Sequence, residues 1–308
     1  MLTITKGFPE LVEEKDYYVL KGRREINSLY PVEMEVVGDI LINLDKPLYI
    51  NGLKTLGNIN SNVDLNILML GKDSPHLKGF LAADGHIVCY GKITAGSVFA
   101  GGDIRSFGIH ASDNLQTRGM LVISGDMISR GEIIASGAVT TNGGRMYGLK
   151  GIIVGQRGIS SSGSIGSEEK IRSLGQIHSL GGGLFGSEIE SLDTIRSEES
   201  IIAGKLLFGK SVSARGDIKV LNGSLLSMEN IFSGGDLSVK NDIMAGIMPT
   251  DPEMKEKIPD NLDFDQIVCR KLLSGRILRG KLEEESVQDS ISAGNKSKEK
   301  KQTSPSCS

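Results

Sequence analysis

The chain has 308 residues, 40 of them Gly, no Trp and only 5% aromatic side chains, with a formal net charge of −3. A core built around one bulky aromatic cluster is excluded, and the slightly acidic balance predicts no nucleic-acid partner, which would need a basic footprint. No run of eighteen apolar residues suggests a membrane span. The opening Met1–Lys6 lacks a charged region followed by an apolar one, so no signal peptide is expected. The three Cys, at 89, 269 and 307, are odd in number and far apart, which suggests free thiols in a reducing, cytoplasmic setting.

Residues 1–36 carry no repeat; Pro9–Leu20 reads as a short helix or a hairpin edge. From Val37 an aliphatic beat begins irregularly, at Ile40/Ile42, Leu48/Ile50, Ile59/Ser61, Leu65/Ile67 and Leu81/Ala83, with Pro47 and Pro75 in loops. From Ile87 to Ile243 the beat is nearly unbroken, with steps of five, six or seven residues through positions such as Ile104, Leu121, Ile133, Ile177, Ile201 and Ile231. Two residues after each beat the side chain is almost always small, as at Ala95, Ser106, Ala135, Ser179, Ala203 and Ser233. A Gly followed by a polar residue often closes the unit, as in Gly102-Asp103, Gly125-Asp126 and Gly216-Asp217.

Alternate residues of a strand share a face, so the beat residue and the small residue both point inward. The Gly-polar pair then turns a corner, with Gly and Asp/Asn expected to supply the left-handed backbone of a tight bend. Three units close one triangular coil of about eighteen residues. The predicted fold is all-β: a single-stranded triangular β-solenoid with about six residues per side, spanning 37–248, flanked by short non-repeat segments. The absence of Pro between Pro75 and Pro249 agrees, because every strand there must donate to a ladder. Residues 249–283 read as a linker and a partly helical segment, from Leu262, Phe264, Ile267, Val268, Leu272, Leu273, Ile277 and Leu278. The polar tail 284–308 reads as disordered. At least one of the non-repeat segments 1–36 and 262–280 is expected to fold over a solenoid end, or over the flank near Ile134 and Phe208, with the C-terminal one the better candidate.

Two motifs resemble nucleotide loops. Gly204–Ser211 matches GxxxxGK[ST], and Gly181-x-Gly183-x-x-Gly186 matches the dinucleotide fingerprint. Both need a strand before and a helix after, yet both lie inside the beat, so no nucleotide, cofactor or metal site is expected. Of His76, His86, His110 and His178, the last two directly follow beat residues and should point outward. Hexapeptide acyltransferases use an outward His as general base, which makes an enzyme of that kind the distant alternative. Their unit places a small or acidic residue after the aliphatic one, whereas here that position holds Arg105, His110, Tyr147 or Phe208. Stacked corner aspartates such as Asp217 and Asp236 read as turn formers, since the Gly-Gly-x-Gly-x-Asp calcium repeat is missing.

The outward positions carry a further signal. On one face they read Phe99, Gln116, Ile134, Ile153, Arg172, Glu190, Phe208, Leu226 and Met244; the neighbouring face adds Ile128, Tyr147, Phe185 and Ile202. Leaving out the charged members and Gln116, this set is an apolar surface large for a lone rod and reads as a lateral interface or a surface covered by a terminal segment.

Units such as Gly102-Asp103-Ile104-Arg105-Ser106, Gly125–Ala135 and Gly216-Asp217-Ile218-Lys219-Val220 resemble those of bactofilins, the bacterial polymer-forming cytoskeletal family. The resemblance covers about residues 37–247. It implies a small triangular β-helix, no enzymatic activity, no nucleotide, and a self-associating scaffold that organises partner proteins, often near a membrane. The core is longer than is usual for that family and has sizeable segments at both ends. These departures favour, as the alternative, a capped solenoid that binds proteins without polymerising.

Overall fold

The structure, a computed structural model, describes residues 2–3, 11–14, 17–22, 33–44, 47–67, 79–245, 267–269, 271–279 and 292–293. Among them there is strand but no helix, stacked as parallel coils in a β-solenoid of about 11 turns. At roughly 4.8 Å per coil the stack is about 50 Å long.

Each coil contributes one strand to each of three faces. On the first face Ile87 lies against Ile59 below and Ile104 above, and the ladder continues through Leu121, Val139, Ile159, Ile177, Ile195, Val212 and Ile231. The second face stacks Leu65, Ile93, Ile109, Met127, Met146, Ile165, Leu184, Ile201, Ile218 and Leu237. The third stacks Leu81, Val98, Leu115, Ile133, Ile152, Ile171, Ile189, Leu207, Leu225 and Ile243. The residues chosen from the sequence as beats are the core: from Ile87 to Ile243 none is more than 3% exposed. Each inward Ile or Leu contributes about 1.5–3 kcal/mol by burial, and because a coil touches only its neighbours, stability is spread along the rod.

The small inward slot has a second role that composition did not announce. Its hydroxyls reach back to the corner of the preceding coil: Ser179 Oγ donates to the Gly163 carbonyl at 2.8 Å, Ser191 to Gly175 at 2.8 Å, Ser197 to Gly182 at 3.0 Å and Ser233 to Gly216 at 3.0 Å. Thr55 and Thr117 make the same bond to Gly38 and Gly102. A buried Ser is therefore satisfied by the geometry that buries it.

The corners depart from expectation. Only Gly38, Gly151 and Gly158 have positive φ among the described residues, so left-handed backbone does not explain most corner glycines. Close approach does. The corner Asx of one coil accepts a hydrogen bond from the N–H that follows the Gly of the next: Asp39 Oδ1 from Asn58, Asp103 Oδ1 from Met120, Asn114 Oδ1 from Glu132, Asp126 Oδ1 from Arg145 and Asp217 Oδ1 from Asp236, all at 2.7–3.0 Å. A Cβ on the intervening Gly119, Gly131 or Gly235 would collide with that carboxyl or amide oxygen. The corner Asp residues are thus staples between coils. Asn114→Ala should cost about 1 kcal/mol of local stability while Asn114→Asp, which keeps the acceptor, should not. Amide exchange at Glu132 reads the difference.

The ladders run beyond 37–248 at both ends. Glu33–Val36 pairs with Gly52–Thr55 on the third face, and Leu2–Thr3 pairs in turn with Glu33–Val36. Leu11–Glu14 and Tyr17–Gly22 form an antiparallel hairpin whose second strand lies parallel to Asp39–Leu44. At the other end, the partly helical reading of 249–283 is corrected over 267–269 and 271–279, the residues of that segment the structure describes. Ile267–Cys269 and Lys271–Arg279 are strands, pairing Ile231 with Ile267, Leu237 with Leu272 and Ile243 with Ile277. Its described strands add a coil and do not lie across the end or on the flank near Ile134; the rest of 249–283 lies outside the described residues. Ser292–Ala293 pairs with Val268–Cys269; the rest of the tail 284–308, called disordered above, lies outside the described residues.

Candidate interaction surface

The outward ladder inferred from the sequence is held in the register expected. On the third face Phe99 lies beside Gln116, then Ile134, Ile153, Arg172, Glu190, Phe208, Leu226 and Met244, one per coil. Parallel in-register stacking makes this inevitable once the beat is right, because the residue after each beat must face outward.

The ladder is not uniform. Its apolar run is divided by the ion pair of Arg172 Nε with Glu190 at 3.6 Å, joined by Lys170 Nζ to Glu190 at 3.4 Å. Phe99 is partly roofed by the Arg118 guanidinium, 5.9 Å above the ring centroid, a cation–π contact. Phe208 corrects the reading of an open face: it is 3% exposed, closed in a small outer cluster with Met228, Leu192, Leu206 and Leu226. Leu192 and Met228 come from the corner where the third face turns into the first, so among the described residues the cover there comes from its own corner. Ile134 and Met244 are half-buried, and Ile153 is 37% exposed.

On the second face Ile128, Tyr147, Gly166, Phe185 and Ile202 follow one another up the stack. Gly166 is the gap in this series, and both rings use it. A Cβ there would lie 2.9 Å from Tyr147 Cδ2 and 4.0 Å from Phe185 Cδ2. Aromatic rings leaning over a strand glycine shield its backbone. Phe185 remains 40% exposed, and Tyr147 Oη reaches Glu168 at 3.4 Å. Ile128, Tyr147, Phe185 and Ile202 therefore form one continuous stripe, with Phe185 its most open member.

The motifs with a chemical appearance lie in strands and the corners between them. Gly204 lies in Ile201–Gly209 and Ser211 begins Ser211–Ala214. Lys210 Nζ pairs with Glu229 at 3.5 Å. Gly186 lies in Leu184–Ser191. Neither match opens a helix, so converging amides are missing from both. No cluster of three metal-ligating side chains occurs among the described residues, and no helix there is long and apolar enough to cross a membrane. Cys89 is buried in its small slot as a free thiol; burial pushes it up to about 11, so it stays protonated and unreactive. Cys307 and His76 lie outside the described residues.

His110 is exposed, as its position predicted; His178 is half-buried, and its Nε2 has no hydrogen-bond partner among the described residues. Burial pushes the His178 imidazole below its ordinary value of 6.5; Arg196 adds to this and Glu198 opposes it. The folded rod thus favours neutral His178, and the unfolded chain takes up the proton first as the pH falls. The stability from this preference is present above pH about 6.5 and is lost as the pH falls through the lower folded value. His178→Gln should flatten the loss of local exchange protection between pH 7 and 5.

Comparison with protein-family models, with curated proteins and with solved structures finds no match.

Proposed function

We propose that this chain is a non-enzymatic structural rod that associates with copies of itself end to end and offers its flanks to partner proteins, a bactofilin-like scaffold. The observation that carries the reading is the state of the ends. Lys271–Arg279, on the second and third faces, pairs with Asp236–Ala245 on one side and, among the described residues, with no strand on the other. Leu11–Glu14 pairs, among the described residues, only with Tyr17–Gly22. Open strand edges invite another chain, and continued coils supply a template, not a lid. The two edges also differ in charge. Leu11–Glu14 carries Glu13 and Glu14, while Lys271–Arg279 carries Lys271, Arg276 and Arg279. Opposite charges at opposite ends favour head-to-tail stacking.

The stripe Ile128, Tyr147, Phe185 and Ile202 supports a lateral contact with another protein, and a cytoplasmic setting close to a membrane through such a partner fits the resemblance. A solenoid that binds proteins without polymerising is the second reading, favoured by the charged side chains on the terminal strand, a device that discourages edge pairing. Sedimentation velocity at two salt concentrations separates them. End-to-end association driven by edge charge should give species larger than a monomer at about 0.05 M salt that shrink toward the monomer near 1 M, where the screening length falls to about 3 Å. A monomer at both salts supports the second reading.

A further inference from the structure

The corner between the first and second faces breaks its own pattern on two successive coils. In later coils it is polar or small at Ser124, Asn142, Ser162, Glu198, Arg215 and Gly234, with Leu180 the exception. In the coils before them it holds Tyr90 and Phe107, 80% and 56% exposed. Cys89 pairs with Ser106 and Lys92 with Gly108, so Tyr90 and Gly91 together oppose Phe107. That is a bulge, a device that re-aims a side chain. The two rings stand as a fin along the corner.

The fin walls a trough of about 650 Å³ across the first face. Val88 and Arg105 lie on its floor, adjacent in the ladder, with Asn60 beside Val88 on the coil below. His86 and Asp103 form the far side. His86 Nδ1 accepts a hydrogen bond from the Asp103 N–H at 2.8 Å, which leaves Nε2 as the atom that carries the proton in the neutral ring. Asp103 Oδ1 is taken by the Met120 N–H at 2.9 Å, while Oδ2 has Arg105 at 3.6 Å. Arg105 keeps further N–H donors free of that contact and is more than half exposed.

We propose that this trough is a binding site for a neutral oligosaccharide of pyranose units. Its aromatic side offers flat apolar surface to the C–H face of a sugar ring. Its opposite side and floor offer donors and acceptors in mixed order (imidazole N–H, guanidinium, carboxylate, amide), the complement of a ring of hydroxyls. The fin rises one coil at a time, about 4.8 Å, close to the length of one pyranose unit, so successive sugars meet successive rings. An extended peptide is the competing occupant and finds less here. The strand Ile87–Cys89 is bonded to Ile59–Ser61 on one side and Ile104–Ser106 on the other, so the floor has no free main-chain edge for strand addition.

The test titrates the full chain with cellohexaose, maltohexaose and chitohexaose by ligand-observed nuclear magnetic resonance. At least one should bind with a Kd of about 1 mM or tighter. Tyr90→Ala with Phe107→Ala should weaken that binding about tenfold or more, while Leu180→Ala, at the same corner elsewhere on the rod, leaves it unchanged. Both rings are exposed, so circular dichroism should not change, and Phe107→Tyr, which keeps an aromatic face, should retain binding. Sedimentation of the double variant should match the parent chain, which separates this site from the end-to-end contacts. Failure of all three sugars to bind, or undiminished binding in the double variant, would overturn the proposal. So would binding in the trough of an acetylated Ala-Gln repeat hexapeptide, but of none of the sugars.

Discussion

Ile177→Asp should open the rod in its middle. Ile177 is fully buried between Ile159 and Ile195, with Ser179 inward beside it. A carboxylate there sits on the axis among aliphatic ladders with no cation within reach, and an unpaired buried charge costs several kcal/mol. Ile177→Ala measures the cavity alone, about 2–5 kcal/mol, so the Asp variant should lose clearly more. Each coil leans on its neighbours, so the damage is local. Proteolysis and amide exchange should report opening over the coils around 159–197, with protection retained near Leu121 and Leu225. Exposure of Ile177 to solvent in the parent chain, or tolerance of Asp, would contradict the inward frame.

Gly223→Ala should be nearly as damaging, for a reason invisible in composition. A Cβ at Gly223 would sit on the Lys205 carbonyl oxygen and crowd its carbon and Cα. The obstacle is backbone of the adjacent coil, which is fixed by the pairing of Leu206 with Ser224 and by the Asn222 N–H donating to the Gly204 carbonyl at 2.8 Å. Neither side can yield without breaking ladder bonds, so the cost should reach or exceed the upper end of the usual 1–3 kcal/mol for overpacking. Gly108→Ala is the control: its nearest neighbours would be at 3.4 and 3.5 Å, one of them the flexible Lys92 stem, and it should change stability little. Thermal scans of the pair give the comparison, with local exchange placing the loss at the coil that contains Ser224–Ser227.

The beat was legible because a solenoid repeats its physics. The residue that fills the axis, the small residue beside it and the outward residue between them recur in every strand, so Ile133, Ile134 and Ala135 announce their own directions. The corners were harder. Gly119 and Gly131 look like turn formers, yet their role depends on Asp103 and Asn114 one coil earlier, a relation across 16 or 17 positions that no local pattern contains. Phe208 was read as outward, in a lateral interface or under a terminal segment; the direction is right, but Met228 and Leu192 close over it from the corner. The terminal coil was missed although its signal was present. Ile267, Leu272 and Ile277 step by five, with Ser274 in the small slot of the second strand, but Leu273 and Ile277 four apart imitate a helix, and the 21 residues after Ala245 interrupt the count. Tyr90 and Phe107 were missed in the sequence as well, although they are bulky exceptions at a corner that is mostly small or polar elsewhere.

Negative-stain electron microscopy of the purified full-length chain at low salt tests the scaffold reading most directly. End-to-end stacking predicts rods that lengthen in steps of about 50 Å, one stack of coils per copy, and that shorten to single particles when salt is raised. Uniform single rods about 50 Å long at every salt and protein concentration would contradict it.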